Sequence, residues 1–194
     1  MRLLQNLSEY DNNLVRQRLT KKLLDGLNKN CREYKRKCYK GGLLFRGVKR
    51  PVKWYKIITP RTNRRPYNTD LGVHLYLDLQ FRKRFGWEAR SQGVFATGSW
   101  SETLAYGTGS IIVPFDNFKF IWNPEIRDLF AKLPDSMGSP KSEEWINDML
   151  KGYKDTDFSA AVESGYEIMI KCTQYYLINK YFLSEVLDWQ RGKL

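Results

Sequence analysis

Three short apolar runs, each marked by polar residues at one point, constrain the fold of this chain more than any other feature. An arginine lies in the run Leu-Leu-Phe-Arg-Gly at 43–47, and the run Phe-Ala at 95–96 ends in the hydroxyl-rich turn Thr-Gly-Ser. A glutamate, Glu167, opens the later run Ile-Met-Ile at 168–170. Short apolar runs bounded by glycine and polar residues predict buried β-strands. The fold therefore has to place one guanidinium, two hydroxyls and one carboxyl on or beside a largely apolar sheet.

The pattern along the rest of the chain predicts a single α+β domain, 41–194, with an N-terminal helical extension, 1–40, packed on it. Leucines at 14, 19, 23 and 27 have helical spacing, and the Gly-Gly pair at 41–42 would break that helix. Thr69 or Asp70 would cap a later helix that Gly86 ends. Strands are predicted at 43–48, 54–58, 93–97, 111–115, 118–122, 166–172, 175–179 and 181–183, helices at 71–85, 102–106, 124–132 and 142–150, and loops at 61–69 and 134–140.

The composition argues against several classes of protein. The 194 residues include three cysteines, Cys31, Cys38 and Cys172, and one histidine, His74. An odd number of cysteines without a C-x-x-C pair indicates reduced thiols in a cytosolic protein, and a single histidine argues against a metal site or a Ser-His-Asp triad. The N-terminus has no apolar segment of the signal type, and no run approaches the roughly 20 apolar residues of a membrane span. We therefore expect a soluble, cytoplasmic protein that binds no metal and no membrane.

The chain is strongly basic. Its 33 lysines and arginines exceed its 21 aspartates and glutamates, which gives a formal net charge of +12. No acidic residue lies between Arg46 and Arg65, and Trp54 and Tyr55 stand among the cations there. Such a segment is typical of proteins that bind phosphates and exposed bases, and it also fits a solvated basic face whose aromatic residues belong to the core. In the first case, four cations would contact a nucleic acid or another acceptor: Lys53, Arg61, Arg64 and Arg65.

Each of the three polar features has more than one interpretation. A guanidinium at Arg46 on a buried strand needs a partner, which is either a phosphate or a core carboxylate. The small and hydroxyl-bearing residues at 97–103 let a ligand approach the backbone, and they equally describe the N-terminal cap of a helix. Glu167 has three interpretations: a solvated residue at an edge, the partner of Arg46, or a catalytic carboxylate that stabilises an oxocarbenium-like charge.

Taken in order, Arg46, the Thr-Gly-Ser turn and Glu167 resemble the arginine, serine and glutamate motifs of the mono-ADP-ribosyltransferases. The resemblance extends over residues 43–176, and the stretch 95–107 is similar to that family's aromatic-x-Ser-Thr-Ser segment with the helix that follows it. The overall sequence is also similar to small phage-encoded members. The resemblance implies an α+β fold in which split mixed β-sheets form an NAD cleft, in a protein that acts in the host cytoplasm or is delivered with the virion.

The resemblance also implies a reaction. Arg46 would contact the phosphate or ribose of NAD, and Glu167 would hydrogen-bond the ribose 2′-hydroxyl and favour the departure of nicotinamide. NAD would be the substrate, no metal would be needed, and ADP-ribose would pass to a macromolecular acceptor, either protein or nucleic acid.

Further contacts with NAD follow from the same resemblance. Thr97 and Ser99 would brace the nicotinamide ribose and the catalytic glutamate. The ring of Phe95 or Tyr106 would pack near nicotinamide, and the backbone of Gly47 would approach the nicotinamide amide, because glycine leaves room for it.

Two departures from the family pattern leave other functions open. The family's Ser-Thr-Ser is Ala-Thr-Gly-Ser at 96–99 here, and Gly165 stands where arginine-modifying members have Glu or Gln. Another acceptor, or loss of activity, is therefore an alternative to arginine modification. The main alternative function is that of a non-enzymatic basic phage or nucleic-acid-binding protein on a transferase-like scaffold. A third is an interaction protein whose N-terminal helix docks on a partner, in which case deletion of 1–40 would leave the fold intact.

Overall fold

An antiparallel sheet of seven strands is the centre of an α+β fold. The computed structural model describes residues 2–39, 42–66, 69–136 and 140–194, with their side chains from residue 13 onward except 140 and 141. The order across the sheet is β2-β7-β4-β1-β3-β6-β5. The strands are β1 Leu44–Val48, β2 Tyr55–Ile58, β3 Val94–Thr97, β4 Thr108–Pro114, β5 Lys119–Trp122, β6 Glu167–Lys171 and β7 Tyr175–Ile178.

Helices pack on this sheet. Within the described ranges they are α1 Arg2–Asn30, α2 Arg32–Lys37, α3 Leu71–Phe85, α4 Ala89–Gln92, α5 Pro140–Lys151, α6 Phe158–Ser164 and α7 Leu183–Gln190. Short 3-10 segments are formed by Ser101–Tyr106, Phe130–Lys132 and Lys180–Phe182. None of the helices in the described part of the chain has the length and apolar character needed to cross a membrane.

The caps of α3 show why this helix could be predicted from sequence. Asp70 accepts a hydrogen bond from Val73 N at 3.1 Å, which satisfies one of the free amides of the first turn. At the other end Gly86 has φ = 78°, a left-handed conformation that glycine adopts without strain, and its amide donates to Arg82 O at 2.9 Å. The helix predicted over 71–85 is confirmed at both ends.

The sheet has a narrow seam between β1 and β3. These strands share one register pair, Phe45 opposite Thr97, whereas β1 and β4 share five pairs and β3 and β6 share four. The sheet thus consists of two well-paired parts, β2-β7-β4-β1 and β3-β6-β5, that meet at a single point of pairing. Arg46 follows Phe45 and lies directly beside this seam.

Two hydrophobic clusters cover the sheet, and β6 contributes to both. The larger cluster contains residues of α1, α2, α6 and α7, together with Ile168 and Ile170. The smaller cluster contains residues of α3, α4 and α5, together with Met169. Because successive side chains of a strand point to opposite faces, Glu167 lies on the same face as Met169. The carboxyl of Glu167 therefore stands on the side of the sheet that α3, α4 and α5 cover.

The second half of α1 belongs to the core of the domain. Leu23 and Leu27 are completely buried in the larger cluster, and Trp189 Nε1 donates to Asn28 Oδ1 at 2.8 Å. Gly26 leaves space for the hydroxyl end of Tyr176 on β7. Deletion of 1–40 would remove these contacts, so the extension is a structural part of the domain and its loss would not leave the fold intact.

The helix predicted over 124–132 is wrong. The segment is irregular apart from the 3-10 turn Phe130–Lys132. Asn123 and Asp128 each accept, through Oδ1, a hydrogen bond from the backbone amide two residues ahead, at 2.8 and 2.9 Å. Asparagine and aspartate compete with helix formation in this way, because their side chains offer the backbone a local alternative partner.

The strand predicted over 181–183 is also wrong. Asn179 Oδ1 accepts from Tyr181 N at 3.1 Å and starts the 3-10 segment that leads into α7. Helix α6, Phe158–Ser164, was not predicted, because seven residues are too few to show helical periodicity. The break expected at Gly41 and the centre of the loop expected over 134–140 lie outside the described residues.

Leu27→Ala is expected to lower the free energy of unfolding by about 2–5 kcal/mol, because it leaves a cavity between α1 and the sheet. Leu14→Ala on the exposed part of the same helix is the matched control, and its effect should stay within about 0.5 kcal/mol. Urea denaturation measures both. Equal and small effects would show that α1 does not contribute to the core.

Candidate functional site

The fold brings together the three polar features, of which the first and the last lie 121 positions apart in the sequence. Thr97 on β3 pairs with Phe45 on one side and with Glu167 on the other. Arg46 Nη1 donates to Phe95 O on β3 at 2.7 Å. The guanidinium, the hydroxyl-bearing turn and the carboxyl therefore occupy three adjacent strands, β1, β3 and β6, on both sides of the seam.

The hydroxyl of Thr97 ties the end of β3 to the turn that precedes Glu167. Thr97 Oγ1 donates to Gly165 O at 2.5 Å and accepts from Ser99 N at 3.0 Å. Ser99 Oγ in turn lies 2.9 Å from Ser101 Oγ. Because Gly165 is only two residues before Glu167, this hydrogen bond fixes the backbone at the start of β6, the strand that carries the carboxylate.

Packing explains the two glycines at which the chain departs from the transferase motifs. A Cβ at Gly98 would overlap the carbonyl oxygen of Val162 on α6. Gly165 ends α6 with φ = 70°, and a Cβ there would meet Ser99 Cβ at 3.2 Å. The close approach of α6 to the turn after β3 thus requires glycine at both positions.

One oxygen of the Glu167 carboxyl, Oε1, is buried and has no hydrogen-bond partner among the described residues. The backbone amide of the same residue donates to Arg127 O at 2.9 Å. The pKa of Glu167 is raised from 4.5 to about 7, mainly by burial and also by the nearby Asp128 carboxylate. The guanidiniums of Arg90 and Arg64 act against this increase and favour the ionised form.

Two arginines pack on the ring of Phe95 beside this carboxyl. The guanidinium carbon of Arg64 lies 4.7 Å from the ring centroid and that of Arg90 lies 5.3 Å from it. Burial, together with the positive charges of Arg46 and Arg90, lowers the pKa of Arg64 to about 10. Within the described ranges, none of the three arginines is within ion-pair distance of a carboxylate. The site is a partly buried cluster with an excess of positive charge, which favours an anionic ligand.

A polar network below the cluster positions Arg90. The Asp78 carboxylate on α3 accepts from Arg90 N at 2.7 Å and from Ser91 N at 3.1 Å, which fixes α4. His74 is buried, its Nε2 lies 3.0 Å from Ser91 Oγ, and burial lowers its pKa. Arg90 is 9% exposed, its Nη2 donates to Thr69 Oγ1 at 3.3 Å, and its Nε has no partner among the described residues.

The 3-10 segment Ser101–Tyr106 packs against Gly47 on β1 and Gly109 on β4. Tyr106 Oη donates to Asp128 Oδ2 at 2.6 Å, and Arg127 forms an ion pair with Glu102. Burial and the Asp128 carboxylate raise the pKa of Tyr106. A Cβ at Gly47 would lie 2.7 Å from Tyr106 Cβ, so this packing is sufficient to explain the glycine. Contacts of Phe95, Tyr106 and Gly47 with nicotinamide stay predictions.

The remaining predicted contact residues separate into two groups. Lys53, Arg61 and Arg65 have exposed side chains, whereas Arg64 turns inward to Phe95. Sequence reasoning placed Arg64 with the exposed cations and gave Asp128 no role. No local sequence signal pointed to the inward turn of Arg64 or to Asp128.

Neither of two surface cavities coincides with the candidate site, and the described side chains form no metal site. One surface cavity of about 670 Å³ lies between α1 and Glu185, and another of about 320 Å³ lies between α3 and α5. Neither is lined by Arg46 or Glu167. Among the residues whose side chains are described, there is no group of three or more metal-ligating side chains.

The raised pKa of Glu167 predicts a specific pH dependence of stability. The unfolded chain releases this proton near pH 4.5 and the folded protein near pH 7, so wild type should lose stability relative to Glu167→Gln as pH rises from 4.5 to 7. The difference should reach the order of 1–3 kcal/mol and be constant above pH 7. Urea denaturation of both proteins between pH 4 and about pH 8 tests this, and parallel curves would contradict it.

Comparisons with protein-family models, curated proteins and solved structures found no match to this chain. The candidate site therefore consists of the residues that the fold gathers at the seam: Arg46, Arg64 and Arg90 around Phe95, and Thr97 beside Glu167.

Proposed function

We propose that this protein cleaves the nicotinamide–ribose bond of NAD and transfers ADP-ribose to a macromolecular acceptor. One observation carries the proposal. Glu167 has a buried carboxyl oxygen without a hydrogen-bond partner among the described residues, and it stands on the strand next to Thr97, one strand away from Arg46. A buried polar atom without a partner is unfavourable unless a ligand supplies one, and a ribose hydroxyl would do so.

The arginines at the seam support binding of the diphosphate. Guanidiniums bind phosphate oxygens through paired N–H groups, and desolvation strengthens the interaction. Arg46, Arg64 and Arg90 together carry three positive charges, against which Glu167 supplies at most one negative charge. NAD would bring the anionic groups that this cluster lacks.

Glu167 would act on the ribose next to nicotinamide. Its ionised carboxylate accepts a hydrogen bond from the 2′-hydroxyl and stabilises the positive charge that develops at the anomeric carbon. The C–N bond breaks and its electron pair neutralises the nicotinamide ring, which leaves. The acceptor then forms a bond to the anomeric carbon and releases its proton to solvent. With water as the acceptor, the products are ADP-ribose and nicotinamide.

Binding of NAD requires the segment Ser101–Tyr106 to move. In the described conformation Tyr106 contacts Asp128, and neither surface cavity reaches Glu167. Displacement would break the two surface contacts of the segment and would also remove the buried Thr103 from its close packing against Gly47 and Gly109. The resemblance implied split mixed sheets, whereas the described strands form one sheet in which all pairings are antiparallel. The seam, where one register pair connects β1 and β3, is the feature that supports a split architecture.

The second candidate is a basic nucleic-acid-binding protein without catalytic activity. The closed packing at Glu167 favours it, together with the glycines at 98 and 165 that replace motif residues. This candidate predicts nucleic-acid binding that is unchanged in Glu167→Gln, together with no release of nicotinamide by wild type.

Glu167→Gln is expected to lower the rate of nicotinamide release from NAD at least about 100-fold, because it removes the charge that stabilises the transition state. Glu144→Gln, an exposed position on α5, is the matched control and should keep wild-type activity. The measurement uses labelled NAD with purified, folded protein, and a parallel incubation with cell lysate detects transfer. Digestion of the lysate products with protease or nuclease identifies the acceptor class. Absence of nicotinamide release by wild type would refute the proposal.

The rate of NAD cleavage should follow the ionisation of Glu167. With a pKa of about 7 the ionised fraction in the free protein rises roughly tenfold between pH 6 and pH 8, and kcat/KM should rise with it. A profile that is flat over this range would indicate that another step or another group limits the reaction.

A further inference from the structure

A row of exposed cations runs along one border of the molecule. We call it the basic strip, and it consists of Arg50, Lys53, Lys56, Arg61 and Arg65, all with exposed side chains. No aspartate or glutamate occurs anywhere between residues 48 and 69. The strip therefore has a strong positive potential that no neighbouring residue in its own segment neutralises.

The strip follows the edge of the sheet. β2, which carries Lys56, is the first strand of the sheet and pairs only with β7. The other members of the strip lie in the connections on either side of β2, before Tyr55 and after Ile58. An extended polyanion can lie along such an edge, because no other strand of the described chain covers it.

One end of the strip is anchored at the candidate site. The Arg64 backbone amide donates to Ser91 O at 3.2 Å, and Ser91 Oγ donates back to Arg64 O at 3.3 Å. The side chain of Arg64 turns inward to the ring of Phe95, while Arg61 and Arg65 on either side of it face solvent. A ligand bound to Arg61 and Arg65 would thus lie at the rim of the cluster that contains Glu167.

The two aromatic side chains of the segment are only partly exposed, because both pack against the larger hydrophobic cluster. Trp54 and Tyr55 both pack against Phe182, with ring centroids 6.3 Å apart in each case, and Phe182 is fully buried. Protein–protein interfaces are enriched in exposed aromatic residues and depleted in lysine. Lysines and arginines without aromatic anchors are instead typical of surfaces that bind the phosphate backbone of nucleic acids.

We propose that the basic strip binds nucleic acid through its phosphates and presents it to the site as the acceptor of ADP-ribose. Binding by the strip stands on the exposed cations alone, whereas the role of acceptor rests on the proposed NAD chemistry. Recognition is by backbone charge, so the strip should bind many sequences with similar affinity.

The test compares two triple variants that lose the same charge. Lys53→Gln, Arg61→Gln and Arg65→Gln are combined in the strip variant. Arg18→Gln, Lys22→Gln and Arg32→Gln, at exposed positions of α1 and α2, are combined in the control. Fluorescence anisotropy with a labelled single-stranded oligonucleotide gives the affinity of each protein over a range of salt from about 50 to 200 mM. Thermal melting shows that both variants are folded.

The strip variant should lose at least about tenfold in affinity, and the slope of log K against log salt should become shallower by about 2, since each lost phosphate contact removes about 0.7 from it. The control should lose less than about threefold and keep a slope within about 0.5 of wild type. Equal losses in the two variants would overturn the proposal, as would displacement of the oligonucleotide by polyglutamate at equal charge concentration.

Incubation of wild type with labelled NAD and the same oligonucleotide tests the acceptor. Label on the oligonucleotide supports its role as the acceptor of ADP-ribose. Nicotinamide release without label on the oligonucleotide would overturn the acceptor role and leave the NAD chemistry standing. Oligonucleotide binding without any nicotinamide release would refute the proposed function and leave the strip as a binding surface.

Discussion

The arrangement of this molecule depends on the burial of one carboxyl group beside an excess of guanidinium groups. Removing a charge from water is unfavourable, and the compensation has to come from opposite charges or hydrogen bonds in fixed places. For Glu167 the compensation is incomplete, because Arg64 and Arg90 favour its ionised form while burial and Asp128 oppose it. The opposing effects leave the carboxyl with a pKa of about 7, where it changes its charge within the physiological range.

Much of the fold serves to hold these groups against their mutual repulsion. α3 provides Asp78, whose carboxylate fixes the amides of Arg90 and Ser91, and α6 ends in the turn whose carbonyl accepts from Thr97. The larger hydrophobic cluster, which includes α1, supports the strands from the opposite side. Polar groups at the seam therefore have rigid neighbours on both sides, and a ligand would meet a preorganised set of charges.

The sequence predicted the class of the fold and many elements because their signals are local. The helix α3 has its cap at Asp70 and its end at Gly86, and the strands around Arg46, Thr97 and Glu167 are short apolar runs. The helix and the strand that were predicted wrongly share one cause, since Asn123 and Asn179 bond to the nearby backbone. Helix α6 was missed for another reason, its short length. No local pattern could place Arg64 on Phe95, since that contact depends on how the loop after β2 folds back on the segment before β3. The order of the strands and the seam between β1 and β3 likewise depend on pairing between strands that are distant in sequence.

The segment Ser101–Tyr106 is held in place by contacts of two different kinds. At the surface, one ion pair and one hydrogen bond join it to the loop after β5. Beneath them Thr103 is buried, and Gly47 on β1 and Gly109 on β4 leave the space that the segment occupies. Surface contacts of the first kind contribute little to stability, whereas close packing tolerates no added atoms. A side chain at Gly47 would therefore displace the whole segment from the strand that carries Arg46, although neither of the two surface contacts involves that position.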